Sequence, residues 1–291
     1  MRKEFYKYLT ELFKSDPKIV ILLGDIGVHS LKECFNYDSS RIYNFGIMEQ
    51  TIIGAASGLA KQGFIPFIHS IAPFITERCY EQLKIDLGHE NVNCFVVSVG
   101  ASYDYAALGS THHCFNDLRI VSSIPNFKTY CPGNFKDVFW TIRTNIKNSS
   151  PKYIRLGEES NNYLGYNNTL INLNTNGICI VVGNSVKDIY NLKELCNCSL
   201  YYTYDISEFD VNKLKLIMKN FGIRNRFTII EPCYDSGLVN KIATNFKDIE
   251  FIEHISLPKI FINQYGTKLE NDFDLEMTDK QIINKIEGIY F

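Results

Sequence analysis

Apolar residues at the start of the chain follow first a helical and then a strand pattern. Phe5, Tyr8, Leu9, Leu12 and Phe13 recur at helical spacing. Asp16-Pro17 ends that helix, because the residue before a proline is pushed out of the helical region. Lys18 to Gly24 then carries a continuous apolar run, as expected of a strand buried on both faces of a parallel sheet. The alternation continues with strands at 42–45, 64–70, 93–100 and 153–156 and helices at 49–61, 75–87 and 135–146. The helix at 49–61 contains Gly54, Ala55, Ala56 and Gly58, small residues that permit close packing. A long irregular loop is expected over 101–114. Strands alternating with helices predict an α/β fold with a parallel sheet covered on both faces.

The periodicity lapses over 157–177, an asparagine-rich stretch that reads as a linker. It then resumes, with strands at 178–183, 199–204, 227–231 and 250–255 and helices near 186–196, 211–221, 236–245 and 278–287. The prediction is two parallel-sheet α/β domains, residues 1–160 and 178–291, joined by a linker over 161–177.

Composition narrows the function classes. A chain of 291 residues can bury a full core without disulfides or metals. With 45% apolar and 21% charged residues it is not intrinsically disordered. Thirty basic against 32 acidic residues give a net charge of −2, so neither nucleic acid nor an anionic membrane is the expected partner. No apolar run reaches the length of about 18 residues that spans a bilayer. The nine cysteines are odd in number, scattered and mostly set in apolar runs, which reads as free buried thiols. Cys196-Asn197-Cys198 is too closely spaced for the usual zinc pair. Met1-Arg2-Lys3-Glu4-Phe5 opens an amphipathic pattern and not a signal peptide, so a reducing, cytoplasmic setting is expected.

Ligands of open α/β sheets bind beyond the carboxyl ends of the strands. That rule directs attention to Gly24-Asp-Ile-Gly27, to Asn44-Phe-Gly-Ile-Met-Glu-Gln50 and to Gly109-Ser-Thr-His-His113. The short Gly-x-x-Gly, followed by His29, could cradle a phosphate but is more often an ordinary strand-to-helix turn. Glu49 begins a helix among Phe45, Ile47, Met48 and Ile52. Apolar surroundings raise a carboxylate's proton affinity in general, whereas a glutamate at a helix start is also favoured simply by the helix dipole. His112 and His113 suit hydrogen bonding to a substrate better than metal binding, since no carboxylate pattern of a metal site surrounds them. Dinucleotide, Walker and nucleophile-elbow motifs are absent.

At these segments the chain resembles the C-terminal half of a transketolase, and specifically the small subunit of the split, two-chain transketolases. The resemblance is carried by Tyr43-Asn-Phe-Gly-Ile-Met-Glu-Gln-Thr-Ile-Ile-Gly-Ala-Ala-Ser-Gly-Leu-Ala60, Phe74-Ile-Thr-Glu-Arg-Cys-Tyr-Glu-Gln82 and Thr111-His-His113. Phe227-Thr-Ile-Ile-Glu231 and Ile255-Ser-Leu-Pro-Lys-Ile-Phe261 extend it into the C-terminal domain. It implies thiamine diphosphate as cofactor, with residues 1–160 as the pyrimidine-binding domain. Glu49 matches the glutamate that hydrogen-bonds the aminopyrimidine ring, favouring the tautomer that activates the cofactor. Phe74 matches the aromatic residue packed on that ring, and Ile71, Ile47 and Arg78 fall in the cofactor-binding segments. His112 matches a histidine that binds the acceptor phosphate and is expected, with Glu49, to be catalytic, and His29, His113 and Arg155 are its expected substrate-binding companions.

The family's Gly-Asp-Gly motif for diphosphate and metal is missing, Gly24-Asp25-Ile26 being no substitute. A separate large subunit is therefore expected to supply the diphosphate and Mg2+ site, in a heterotetramer of two large and two small chains that acts on sugars. Three positions depart from the family. Gly100 replaces a histidine, Ala107-Leu108-Gly109 replaces an acidic segment, and Glu158 replaces the second arginine of an Arg-Leu-Gly-Arg stretch. A carboxylate in place of a guanidinium fork disfavours phosphate, so these changes point to another substrate, for which a nucleotide-linked keto sugar is one fit. Three alternatives stay open: a thiamine enzyme that decarboxylates 2-oxo acids and transfers the acyl unit, a non-catalytic regulatory or scaffold subunit, and an isolated α/β module that binds another ligand.

Overall fold

In the computed structural model, which describes residues 1–290, alternate side chains of the first strand feed two separate apolar layers. Ile19, Ile21 and Leu23 of β1 (Ile19–Leu23) join Phe5, Leu9 and Phe13 of the helix Arg2–Ser15. Val20 and Leu22 join Ile52, Ile53 and Ala56 of the helix Glu49–Lys61 on the other face. The two-residue period of the strand thus meets the three-to-four-residue period of a helix on each side. Each fully buried Leu, Ile or Phe contributes about 1.5–3 kcal/mol.

The first sheet adds β2 (Ile42–Asn44), β3 (Ile65–Ile71), β4 (Phe95–Val99), β5 (Lys128–Tyr130) and β6 (Lys152–Arg155). Its spatial order is β2-β1-β3-β4-β6-β5, and all strands are parallel. The order reverses between β1 and β3, so their carboxyl ends form the crevice where such sheets bind ligands. In the second sheet, β7 (Thr169–Leu170) pairs antiparallel with β9 (Ser199–Thr203), which is parallel to β8 (Ile178–Val182). β8 in turn is parallel to β10 (Arg226–Ile230), and β10 to β11 (Phe251–Ile255).

The fold is therefore α/β with two sheets, as the alternation predicts, but several details differ. The segment expected as a linker lends β7 to the second sheet, and its Asn161 is buried. The expected helix at 75–87 is broken into Ala72–Ile75, Tyr80–Gln82 and a π-helix over Leu83–His89. Pro73 sits in the first turn of the first of these, where its missing N–H costs nothing. Gly54 and Gly58 on the helix Glu49–Lys61 are exposed: a Cβ on Gly54 would meet only Asp86 Oδ2, at 3.8 Å, and one on Gly58 would meet nothing within 4 Å among the described residues. The strand β5 and the short helices Lys32–Tyr37, Asp117–Ser122 and Lys268–Asp274 carry too little periodic pattern to be read from sequence. No helix among the described residues is long and apolar enough to cross a membrane.

The two sheets are tied by a polar seam. Cys131 N donates to Tyr204 O at 2.8 Å, and Asn161 bridges Gly133 O and Gly183 O at 2.7 Å each. Arg155, at the end of β6, is buried in the same seam. Its Nε lies 2.9 Å from Asp117 Oδ2, and its Nη2 donates to Ser102 Oγ at 2.5 Å and to Pro232 O at 3.0 Å.

Candidate functional site

The site begins with a turn. Gly46 has a φ of +69°, a left-handed conformation that glycine adopts without strain. Asn44 fixes the turn by accepting from Asp25 N at 3.0 Å and Gly46 N at 3.2 Å, which also ties the end of β1 to the end of β2. The chain then enters the helix Glu49–Lys61 with Glu49 in its first turn.

Glu49 is 2% exposed, yet Ile47 and Met48 beside it are 72% and 54% exposed. Of the apolar neighbours expected around the carboxylate, Ile47 and Met48 thus face outward, whereas Ile52 is buried and Phe45 half-buried, and polar groups hold the carboxylate itself. Ser70 Oγ, at the end of β3, donates to Glu49 Oε1 at 3.2 Å. Arg78 Nη1 donates to Glu49 Oε2 at 2.8 Å. The Arg78 guanidinium carbon lies 4.3 Å from the centre of the half-buried Phe74 ring, within cation–π range. His112 meets the same ring edge-on at 5.2 Å between centres. Gln50 holds the Arg78 backbone carbonyl at 3.2 Å. Burial pushes the nearby Cys79 thiol up to about 12, with the Glu49 charge adding to the effect, so that this thiol is inert beside the cluster.

Four expected site residues, Glu49, Phe74, Arg78 and His112, therefore come together at the carboxyl end of β3. Ile71 is half-buried three residues before Phe74. The others lie elsewhere. His29 is on an exposed turn after β1. His113 is buried against Phe115 with neither ring nitrogen within hydrogen-bond geometry of a protein group, and burial holds it below its ordinary value. Arg155, expected to touch substrate, is committed to the seam, where Asp117 and the Pro232 carbonyl occupy its guanidinium.

Periodicity and motifs assign no role to Ser70, Asn44, Arg2 or Tyr105. Ser70 has a readable signal all the same, since His69-Ser70 is a polar pair inside an otherwise apolar strand. The loop that carries His112 is fastened by the second domain: Ser110 Oγ donates to Ile262 O at 3.0 Å, and Phe115 stacks on Tyr234 at 4.9 Å. The second domain thus positions His112 from a distance.

A separate cleft of about 860 Å3 lies along the helix Arg2–Ser15 at the carboxyl ends of β4 and β6. Arg2, Tyr6, Gly100, Tyr105, Gly157 and Glu158 line it, whereas none of the four clustered residues does. Its volume is in the range of small-molecule sites. Among the described residues no group of three or more His, Cys, Asp or Glu side chains is gathered to hold a metal ion.

Comparison with known proteins adds a family. Residues 1–162 match the family described as transketolase, pyrimidine binding domain. The chain is 30% identical over 236 residues to an uncharacterized 33.6 kDa protein in the fasciation locus of Rhodococcoides fascians, covering 80% of this chain and 75% of that protein. It is 28% identical over 200 residues to an apulose-4-phosphate transketolase subunit of Phocaeicola vulgatus, covering 65% of this chain and 64% of that one. Among solved structures, a split-gene transketolase described as an inactive beta4 tetramer superimposes with a TM-score of 0.80 at 18% identity, over all of this chain and 98% of the other.

Proposed function

Because the chain belongs to the transketolase pyrimidine-binding family, we propose that it is the small subunit of a two-chain, thiamine-diphosphate-dependent enzyme that transfers a two-carbon ketol unit between sugars. The observation that carries this reading is the Glu49 cluster, a buried carboxylate beside a half-buried aromatic ring at an unfinished surface.

The donor set suits the pyrimidine half of the cofactor. Glu49 would accept from or share a proton with a ring nitrogen, because one of its oxygens is steadied by Ser70 and the other by Arg78. Phe74, with Ile71 and Ile47, would pack the ring and keep water from that proton. His112, against the edge of Phe74, would hydrogen-bond a sugar hydroxyl. Arg78 acts as a positioning residue, setting the Glu49 carboxylate while covering the aromatic face. When bound, thiamine diphosphate supplies the electron sink for cleaving a carbon–carbon bond next to a carbonyl.

This chain has no Gly-Asp-Gly segment for the diphosphate and its Mg2+. A large subunit would supply that half, in a heterotetramer of two large and two small chains. The exposed Tyr43, Ile47 and Met48, with the open space beside Gly58, give such a chain an apolar surface to cover. The Phocaeicola relative, named as one subunit of a transketolase, also favours a two-chain enzyme.

The test is co-expression with a large chain that carries Gly-Asp-Gly, followed by calorimetry with thiamine diphosphate and Mg2+ on each chain and on the pair. Binding by the pair alone is expected. In the assembled enzyme, Glu49→Gln should lower ketol transfer by about 10²–10⁴-fold, the range for loss of a positioned proton-transfer group. If two folded chains together bind no cofactor, the scaffold reading replaces this one.

A further inference from the structure

Gly100 closes β4 with a φ of +71°, and a Cβ placed on it would lie 2.4 Å from Tyr105 Cε2. The Tyr105 ring therefore fills the space that a side chain at position 100 would need. The Tyr105 hydroxyl accepts from Arg2 Nη1 at 3.1 Å, and Arg2 Nε donates to Tyr6 Oη at 2.8 Å. Behind Tyr6 stands His69, buried, with Nε2 at 2.8 Å from Tyr6 Oη and Nδ1 at 2.8 Å from Val97 O. A carbonyl can only accept, so Nδ1 carries the proton and Nε2 accepts from Tyr6. That relay fixes Arg2 between two tyrosine hydroxyls at one end of the 860 Å3 cleft.

Two carboxylates share this end. Asp104 accepts from Glu158 N at 3.0 Å, and the Glu158 side chain is exposed. Along the whole lining, Arg2, Lys3, Lys7 and Lys14 are offset in number by Glu11, Glu33, Asp104 and Glu158. At 1.5 Å per residue Lys14 stands about 18 Å beyond Arg2 along the helix, and it is paired with Glu33. A terminal phosphate entering here would meet no net positive charge across the lining. A sugar hydroxyl would find two carboxylate acceptors and an aromatic ring to lie against.

We propose that Tyr105 is a specificity-determining residue of this cleft: by filling the space over Gly100 and engaging Arg2, it makes the cleft select the uncharged, hydroxyl-terminated end of a sugar over a terminal phosphate ester. The proposal rests on the ketol-transfer reading above and names the substrate class it would use.

The experiment uses the assembled two-chain enzyme with thiamine diphosphate and Mg2+. Ligand-observed NMR titrations with D-xylulose and D-xylulose 5-phosphate read sugar binding without turnover, while calorimetry reads the cofactor independently. The free ketose should bind at least about tenfold more tightly than its phosphate. Tyr105→Phe keeps the ring but releases Arg2, and Glu158→Arg replaces a repelling charge with a fork. Each should move the preference toward the phosphate by about tenfold. Three results would overturn the proposal: a wild-type preference for the phosphate ester or none at all, an unchanged preference in both variants, or no binding of either sugar. Cofactor binding without sugar binding sinks the specificity proposal alone, whereas absence of cofactor binding sinks the functional reading with it.

Discussion

Arg78 and Arg155 each face a buried carboxylate, at 2.8 and 2.9 Å, but the Arg78 side chain keeps 41% of its surface exposed and that of Arg155 only 4%. Around Arg155 stand Asp117, Ser102, Cys131 and the Pro232 carbonyl, all from this chain. Its charge is spent within the chain, holding two domains together. Around Arg78 one side is Glu49 and Phe74 and the other is open. The same pair of groups is therefore a finished joint in one place and half of a site in the other. What separates them is whether the chain itself encloses the arginine or leaves one side of it open, because a buried charge depends on the partners around it.

The largest expected effect breaks the finished joint. Arg155→Met leaves Asp117 buried with Tyr153 as its hydrogen-bond donor. A loss of about 3–5 kcal/mol is expected, as for removing one partner of a buried ion pair, and urea denaturation would read it. A loss below about 1 kcal/mol would mean that the seam does not depend on the pair.

A second network, behind the cleft, is also closed, and pH should reveal it. Burial lowers the pKa of His69 to about 4 from an ordinary 6.5. The unfolded chain thus binds a proton that the folded chain excludes, so stability falls as pH drops from 6.5 toward 4. The gap corresponds to about 3 kcal/mol. His69→Gln removes the titration, so wild type should lose about that much relative to the variant over this interval. Parallel stability curves would show that His69 is not held neutral.

The smallest effect tests the open site. Arg78→Met should cost only about 1–2 kcal/mol, because Ser70 still donates to Glu49 and water reaches the exposed side. Equal losses for the Arg78 and Arg155 variants would erase the distinction between joint and site.

The contrast also explains which features could be read from sequence. The apolar run of β1 and the period of the helix beneath it are local patterns, and they place the first sheet and Glu49 at a helix start. The fate of Arg155 is not local. Its partners Ser102, Asp117 and Pro232 come from distant segments, one of them in the other domain, and nothing adjacent to Arg155 signals them. His112 and His113 are neighbours in sequence, but one lies beside Phe74 and the other is buried, because a turn separates their directions. The asparagine-rich segment reads as a linker because its side chains bond to backbone groups of strands that sequence periodicity does not connect, as Asn161 and Asn172 do. Gly54 and Gly58 suggest close packing, but among the described residues only the Asp86 carboxylate comes within 4 Å of a Cβ placed on either.

All nine cysteines are free and buried, from Cys34 in the first domain through Cys131 at the seam to Cys233 in the second. Burial also raises the pKa of several, to about 12 for Cys94 and about 11 for Cys131. A thiol reagent thus meets almost no reactive sulfur while the molecule is closed, and each modification records a passage through an opened form. The chain carries a set of chemical clocks distributed over its parts. The order in which they run down would tell which domain lets go first, and whether a second subunit slows the hands.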